Sequence, residues 1–176
     1  MQDKQARLQQ RLLPEIQALR AQCRSLMLAT LDEQGAPNVS YAPFVFLDGH
    51  YYVLVSEVAR HGRNLKAVAK ASLMLIEDEA DCRQLYARVR LSHDAEVNQV
   101  ARDCEHWNQA VEALAHRHGD LVTNLTRMAD FSLFRLTPQQ GLYVKGFGQA
   151  FEVSSDDQVD MVHLTVGHKP MEQSDR

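Results

Sequence analysis

The spacing of apolar residues changes abruptly near position 24, and this change constrains the fold more than any other feature. Before it, apolar residues recur at steps of four, four, three and four: Leu8, Leu12, Ile16, Leu19 and Cys23. This spacing lines one face of an α-helix. After it, three β-compatible runs at 24–32, 38–47 and 50–56 are separated by short turn-rich segments. The pattern predicts an N-terminal helix over residues 3–23, bent or divided at Pro14, and then three consecutive antiparallel strands.

The rest of the chain mixes helical and strand patterns. They predict a helix at 60–69, strands at 71–76 and from 85 to about 97, an amphipathic helix at 97–114, and two strands at 130–136 and 142–153 joined across a turn at 137–141. The segment 154–176 is polar and loop-like. Six or seven strands with two or three flanking helices indicate an α+β fold whose sheet forms a barrel or curls strongly.

Length and composition limit the class of protein. A chain of 176 residues with 45% hydrophobic content fits one domain over residues 1–176. It has no run of the roughly 18 to 20 apolar residues that a membrane span needs, and residues 1–7 do not resemble a secretory leader. We therefore expect a soluble cytoplasmic protein that does not insert into membranes.

The cysteines and the net charge exclude further classes. The three cysteines, Cys23, Cys82 and Cys104, form neither a disulfide framework nor a Cys-x-x-Cys motif. The net charge of -4 argues against a nucleic-acid surface, which usually needs a basic excess. An anionic ligand would have to be bound by a local basic cluster.

Two segments could form such a cluster. In the strand predicted from residue 85, the period of two places Tyr86, Arg88, Arg90 and Ser92 on one face, so that two guanidinium groups project side by side. They suit a carboxylate or phosphate, although a solvated face with salt bridges explains the pattern equally well. The second segment, residues 60–66 with His61 and Arg63, lies where a strand gives way to a helix, a position that attracts anions. Exposed basic residues that are only hydrated are the alternative.

Histidine and glycine supply two further candidates. The eight histidines lack the spacing of a zinc site. His168 lies in the polar C-terminal segment, where it is either an exposed histidine or the single axial ligand of a haem iron. Gly146 and Gly148 lie close together in a predicted strand, where glycine marks a bulge, barrel curvature or the close approach of a flat ligand.

Several segments together resemble a known family. They are PNVSYAPFV at 37–45, ARHGRNL at 59–65, MLIEDE at 74–79, DFSLFRL at 130–136, GLYVKGFGQA at 141–150, VHL at 162–164 and GH at 167–168. Over nearly its whole length the chain resembles the HutZ/HugZ haem-utilisation family of the pyridoxamine 5'-phosphate oxidase-like split-barrel superfamily. The segments before position 65 are similar to those of flavin-binding split barrels and indicate the fold, whereas the C-terminal histidine is the more specific mark of the family.

The resemblance implies a homodimeric split β-barrel, of the FMN-binding split-barrel type, with haem at or near the subunit interface. His168 would be the axial metal ligand, and Asp130 would accept a hydrogen bond from it. Arg90, with Arg88 as the neighbouring candidate, would lie near the haem. The catalytic candidates are thus Asp130 and Arg90, and the cofactor-binding candidates are His168, Arg90, Arg88, His61, Arg63 and Lys145.

The implied activity is a haem oxygenase-type reaction. Haem would be both cofactor and substrate, and an external electron donor would drive the opening of the porphyrin ring to a biliverdin-type product, with release of iron for iron acquisition. A neutral histidine ligand leaves the sixth iron position open for O₂. Two alternatives remain at this point: a non-catalytic haem carrier or storage protein, and an FMN-dependent oxidoreductase that binds the FMN phosphate with residues 60–66.

Overall fold

Eight strands and four helices make up residues 2–161, the part of the chain that the computed structural model describes. The helices are α1 (Gln2–Gln22), α2 (Arg60–Ala67), α3 (Glu105–His118) and α4 (Leu121–Thr126), with a 3₁₀ turn at Leu85–Ala87. The strands are β1 (Ser25–Leu31), β2 (Pro37–Leu47), β3 (His50–Ser56), β4 (Lys70–Ile76), β5 (Arg90–Val100), β6 (Phe131–Gly146), β7 (Gln149–Val153) and β8 (Val159–Met161).

The first six strands close into an antiparallel barrel. Their order is β3-β2-β1-β4-β5-β6, and pairing of β3 with β6 completes the ring. Strands β7 and β8 continue the sheet from the far part of β6. Closure leaves no free edge between β3 and β6, where an unpaired strand would otherwise expose its backbone donors and acceptors. The α+β barrel with flanking helices that the sequence predicts is confirmed.

Apolar residues fill the barrel from the alternate positions of each strand. Strand β1 alternates exposed and buried residues throughout, with Leu26 and Leu28 fully buried. One face of α1 joins this core through Leu12 and Ile16, as its spacing predicts, and the helix continues through Pro14 without a break. A second, smaller core lies outside the barrel, where Trp107 and other residues of α3 pack on β2, β3 and β6.

The strand registers define two opposite ends of the barrel, which we name for use below. The α2 end is where β1 and β3 finish and where β4 and β6 begin, and helix α2 packs there. The Arg90 end is where Ile76, Arg90 and Val144 lie side by side on β4, β5 and β6. Functional candidates lie at both ends.

Two predicted boundaries are wrong. The strand expected from residue 85 begins only at Arg90, because residues 85–87 form a 3₁₀ turn. The helix expected over 97–114 starts at Glu105. Val97 and Val100 belong to β5, where they pair with Leu136 and Leu133 of β6, although they continue the helical spacing of the following segment.

The turn expected at 137–141 is also wrong, since β6 runs through it without interruption. Pro138 and Gly141 instead lie opposite an irregularity of β5 between His93 and Ala95. A Cβ atom on Gly141 would lie 2.3 Å from Nδ1 of His93, so glycine is needed for the close approach of the two strands. The segment after Ser154, expected to be loop-like, contains β8, which pairs with β7.

None of the helices within the described residues is long and apolar enough to cross a membrane.

Candidate functional site

Arg90 is a half-buried cation with no acidic partner within residues 2–161. It opens β5 between Ile76 and Val144, and its Nη1 atom donates a 3.2 Å hydrogen bond to the carbonyl oxygen of Arg88. A guanidinium group carries five N–H donors, so most of its capacity is unused by the described residues. Arg90 is therefore available to an anion.

Arg88, in contrast, is engaged by neighbouring acceptors. Its Nε atom donates to the backbone oxygen of Glu77 at 3.1 Å, and its Nη1 atom forms a 3.1 Å ion pair with Glu79. Because it precedes β5, it does not lie beside Arg90 on one face of a strand, and that prediction is wrong. Within the described residues, Arg88 thus has an acidic partner and Arg90 has none.

Lys145 is also paired, with a carboxylate from the N-terminal helix. Its Nζ atom lies 2.7 and 2.6 Å from the two carboxylate oxygens of Glu15, which also accepts a 3.2 Å hydrogen bond from Tyr143. Burial, followed by the charge of Glu15, raises the pKa of Tyr143 above its usual value, so this hydroxyl remains protonated. Lys145 connects β6 to α1, and an anion would have to compete with Glu15 for it.

The cations of the α2 segment have partners as well. Arg60 pairs with Asp32 at 3.3 Å, and Arg63 donates a hydrogen bond to the backbone oxygen of Val58. Lys66 forms a 2.6 Å ion pair with Glu57, described below. The two ion pairs offset the positive charge of Arg60 and Lys66, and Arg63 already donates to the backbone, so a phosphate would have to compete with these contacts.

His61 lies half-buried on α2, beside these exposed cations. Burial lowers the pKa of its imidazole, which favours the neutral ring. A neutral imidazole can bind a metal or form hydrogen bonds, but it adds no charge for an anion.

Asp130 lies at the α2 end, immediately before β6, and is half-buried. Its backbone oxygen accepts a 2.7 Å hydrogen bond from the N–H of Glu57. The Ser56 hydroxyl donates a 2.6 Å hydrogen bond to its Oδ2 atom. Its Oδ1 atom has no hydrogen-bond partner among the residues that the structure describes, so one acceptor remains open.

The neighbouring carboxylate, Glu57, is fully engaged. Ser132 donates to its Oε1 atom at 2.6 Å and Lys66 to its Oε2 atom at 2.6 Å. The hydrogen bonds from Lys66 and Ser132 lower the pKa of Glu57 below its usual value. Asp130, and not Glu57, is therefore the acidic residue with a free acceptor at this end of the barrel.

The site residues predicted from the sequence fall into two separate groups. His61, Arg63 and Asp130 lie at the α2 end, and Arg88, Arg90 and Lys145 lie around the Arg90 end. Asp130 immediately precedes β6, and Val144 lies near the other end of that strand, fourteen positions further on. One copy of the chain does not bring the groups together. The predicted ligand His168 and the segments at 162–164 and 167–168 lie outside the described residues.

An exposed apolar surface covers the outside of the barrel on β1 and β2. Val39 is 72% exposed and Tyr41 66%, and the neighbouring Met27 and Leu31 of β1 are also exposed. Tyr41 pairs directly with Met27, so the side chains form a continuous patch, which we call the apolar face. Contiguous apolar patches of this kind mark interaction surfaces.

Several residues of the site carry no sequence signal. The sequence does not single out Ser56, Glu57 or Glu15 as site residues, because each forms a hydrogen bond with a residue far away in the chain. Ser56 is 74 positions from Asp130, and Glu15 is 130 positions from Lys145. A lone serine or glutamate in an ordinary strand or helix gives no indication of such a partner.

The barrel and these candidates define the class of protein. Residues 12–145 match the family model of pyridoxamine 5'-phosphate oxidase, which places the chain among the split-barrel proteins of that superfamily. The heme oxygenase HutZ of Vibrio cholerae serotype O1 is 53% identical over 166 residues, which are 94% of this chain and 94% of HutZ. The chain belongs to the HutZ family of the pyridoxamine 5'-phosphate oxidase-like superfamily, and the resemblance seen in the sequence is confirmed.

Solved structures agree with this assignment. A crystal structure of Vibrio cholerae HutZ, described as the heme storage protein, superposes with a TM-score of 0.74 at 46% identity, covering 78% of this chain and 98% of that one. Campylobacter jejuni ChuZ has a TM-score of 0.81 at 29% identity, covering 91% of this chain and 66% of that one.

Proposed function

We propose that two copies of this chain bind haem between them and open its porphyrin ring to a biliverdin-type product, releasing iron. The observation that carries the proposal is the separation of the candidate residues into two groups at opposite ends of the barrel. A single ligand that contacts both groups must lie between two copies. The relationship to a heme oxygenase at 53% identity supports haem as that ligand.

The chemistry of the Arg90 end fits a haem. Haem presents two propionates on a broad apolar ring, so it needs a cation beside apolar surface. Arg90 provides a half-buried guanidinium that no described carboxylate neutralises, and forked N–H donors match a carboxylate. Arg88 and Lys145 would take part only by exchanging their present partners.

The direction of β8 supports a shared site. Met161 pairs with Phe151, and β8 runs antiparallel to β7, toward the turn at 146–148 near the Arg90 end. His168 follows Met161 by seven positions, a reach of at most about 25 Å. In the proposed site, His168 and Arg90 of one copy would contact the same haem, and Asp130 would come from the α2 end of the second copy.

The apolar face supplies the contact between copies. Side chains such as Tyr41 and Val39 would be removed from water on dimerisation, which favours association. A homodimer repeats the contact by symmetry and forms two equivalent haem sites.

Each residue then has a defined task. Bound haem supplies the iron that activates O₂, with electrons from an external donor. His168 would hold the iron, and Asp130 Oδ1 would accept the remaining N–H of the imidazole and fix its orientation. Arg90 would hold a propionate and thereby the position of the ring.

Two competing functions differ in what they require. The description of the solved HutZ structure as the heme storage protein favours binding without degradation. The family match favours FMN, but the α2 cations that would hold its phosphate already contact Asp32, Glu57 and the Val58 backbone.

Hemin titration of the purified protein, followed by ascorbate under air, tests the proposal. We expect a haem complex whose absorption disappears after reduction, with a linear tetrapyrrole and chelatable iron as products. A complex that keeps its spectrum would establish storage instead. A yellow protein that retains FMN and does not bind hemin would establish the flavin function.

Light scattering of the Tyr41→Glu variant tests the dimer. A charge on the apolar face should produce monomers with weakened haem binding, whereas Leu121→Glu, at a 65% exposed residue of α4, should stay dimeric. A wild-type monomer that binds one haem tightly would refute the shared site.

A further inference from the structure

Ser56 has a fixed place and a fixed hydrogen-bonding role beside Asp130. It is the last residue of β3 and pairs with Phe131, the residue that follows Asp130. Its Oγ atom accepts a 3.1 Å hydrogen bond from the N–H of Val58, so its single proton is directed to the Asp130 carboxylate, 2.6 Å away.

Helix α2 packs tightly against the backbone of Ser56. Gly62 packs against its backbone so closely that a Cβ atom at position 62 would lie 2.1 Å from the Ser56 oxygen. The Ser56 backbone is thus held by β3 on one side and α2 on the other, and the hydroxyl is held by its hydrogen bonds to Asp130 and Val58. Within the part of the chain that the structure describes, one oxygen of the Asp130 carboxylate accepts a hydrogen bond and the other has no partner.

We propose that Ser56 is a positioning residue that sets how strongly Asp130 accepts a hydrogen bond from the iron-ligating imidazole. The inference rests on the proposed function. A hydrogen bond to one carboxylate oxygen withdraws negative charge from the group, which weakens the other oxygen as an acceptor. Ser56 therefore moderates the basicity that Asp130 imposes on the imidazole.

The sign of the effect follows from this arrangement. Without the Ser56 hydroxyl, Asp130 becomes a stronger acceptor, the imidazole gains anionic character, and its bond to iron strengthens. Without the Asp130 charge, the same bond weakens. Substitutions at the two positions should therefore act in opposite directions, which a loss of structure at the α2 end would not produce.

Resonance Raman spectra of the ferrous haem complex measure the bond directly. In Ser56→Ala we expect the iron–histidine stretching frequency to rise and the haem midpoint potential to fall. In Asp130→Asn we expect the stretching frequency to fall and the midpoint potential to rise. Ser56→Thr, which keeps the hydroxyl, should resemble the wild type, and Ser40→Ala, a serine that donates only to Leu28 O, should not change either quantity. Melting temperatures without haem check that each variant folds.

The outcomes separate this inference from the proposed function. If Asp130→Asn shifts the frequency but Ser56→Ala does not, or shifts it in the same direction, Ser56 has no tuning role and the haem site stands. If the wild-type complex shows no iron–histidine band, the proposed function and this inference both fail.

Discussion

Replacing Arg20 with methionine should destabilise the protein more than any other single loss of charge at α1. Arg20 is 6% exposed, and its guanidinium binds both oxygens of Asp157, at 3.0 and 2.8 Å. Its Nε atom lies 3.1 Å from the hydroxyl of buried Tyr51, and its plane covers the Phe46 ring at 3.8 Å. Burial alone would lower the pKa of Arg20, but Asp157 and Tyr51 outweigh it and raise the pKa.

The magnitude follows from what the substitution leaves behind. Removing one partner of a buried ion pair costs about 3–5 kcal/mol, and the 19% exposure of the Asp157 side chain favours the lower end. The Tyr51 hydroxyl has no other hydrogen-bond partner among the described residues, which adds about 1 kcal/mol. Arg20→Met should therefore cost about 4 kcal/mol, or about 8–16 °C in melting temperature.

Urea unfolding without haem, at one protein concentration, measures this cost. Lys145→Met is the matched control, because its ion pair with Glu15 also joins α1 to the barrel but is 25% and 35% exposed. It should cost about 1 kcal/mol or less. If Arg20→Met costs no more than Lys145→Met, the buried pair does not stabilise the fold as argued here.

Three further predictions concern charge and packing. Arg90→Gln should weaken haem binding about tenfold or more in a hemin titration, whereas Arg88→Gln should change it little. Equal losses of affinity would contradict the conclusion that Arg90, and not Arg88, is available to bind haem. Burial lowers the pKa of His93, so the unfolded chain binds more protons below about pH 6.5 and stability falls with acid. His93→Gln should reduce that slope by up to about 1.4 kcal/mol per pH unit, and an unchanged slope would exclude His93 as its source. Gly62→Ala should lower the free energy of unfolding in urea by at least about 2 kcal/mol. Gly146→Ala, where a Cβ atom has room, should leave it nearly unchanged, and equal effects would refute the close contact between Gly62 and the Ser56 backbone.

Local patterns were sufficient for most elements of the fold. The helix α1 and the strands β1 to β4 follow from apolar spacing and turn residues, because each buries one face against a common core. Local patterns predicted the wrong element where pairing between strands distant in the sequence determined the backbone conformation. Pro138 and Gly141 look like turn residues, yet β6 continues through them beside an irregularity of β5. Val97 fits a helical spacing, yet its backbone pairs with Leu136.

The sequence by itself determined the alternation that builds a barrel, the family, and a short set of basic, acidic and histidine candidates. Only the tertiary structure decided which of these candidates remain available to bind a ligand. Lys145 is paired with Glu15 and Arg88 with Glu79. Within the described chain, Arg90 has no acidic partner and one oxygen of Asp130 has no hydrogen-bond partner. The physical reason is that a side chain's free charge and hydrogen-bonding capacity depend on its neighbours in space, and folding brings those neighbours from distant parts of the chain.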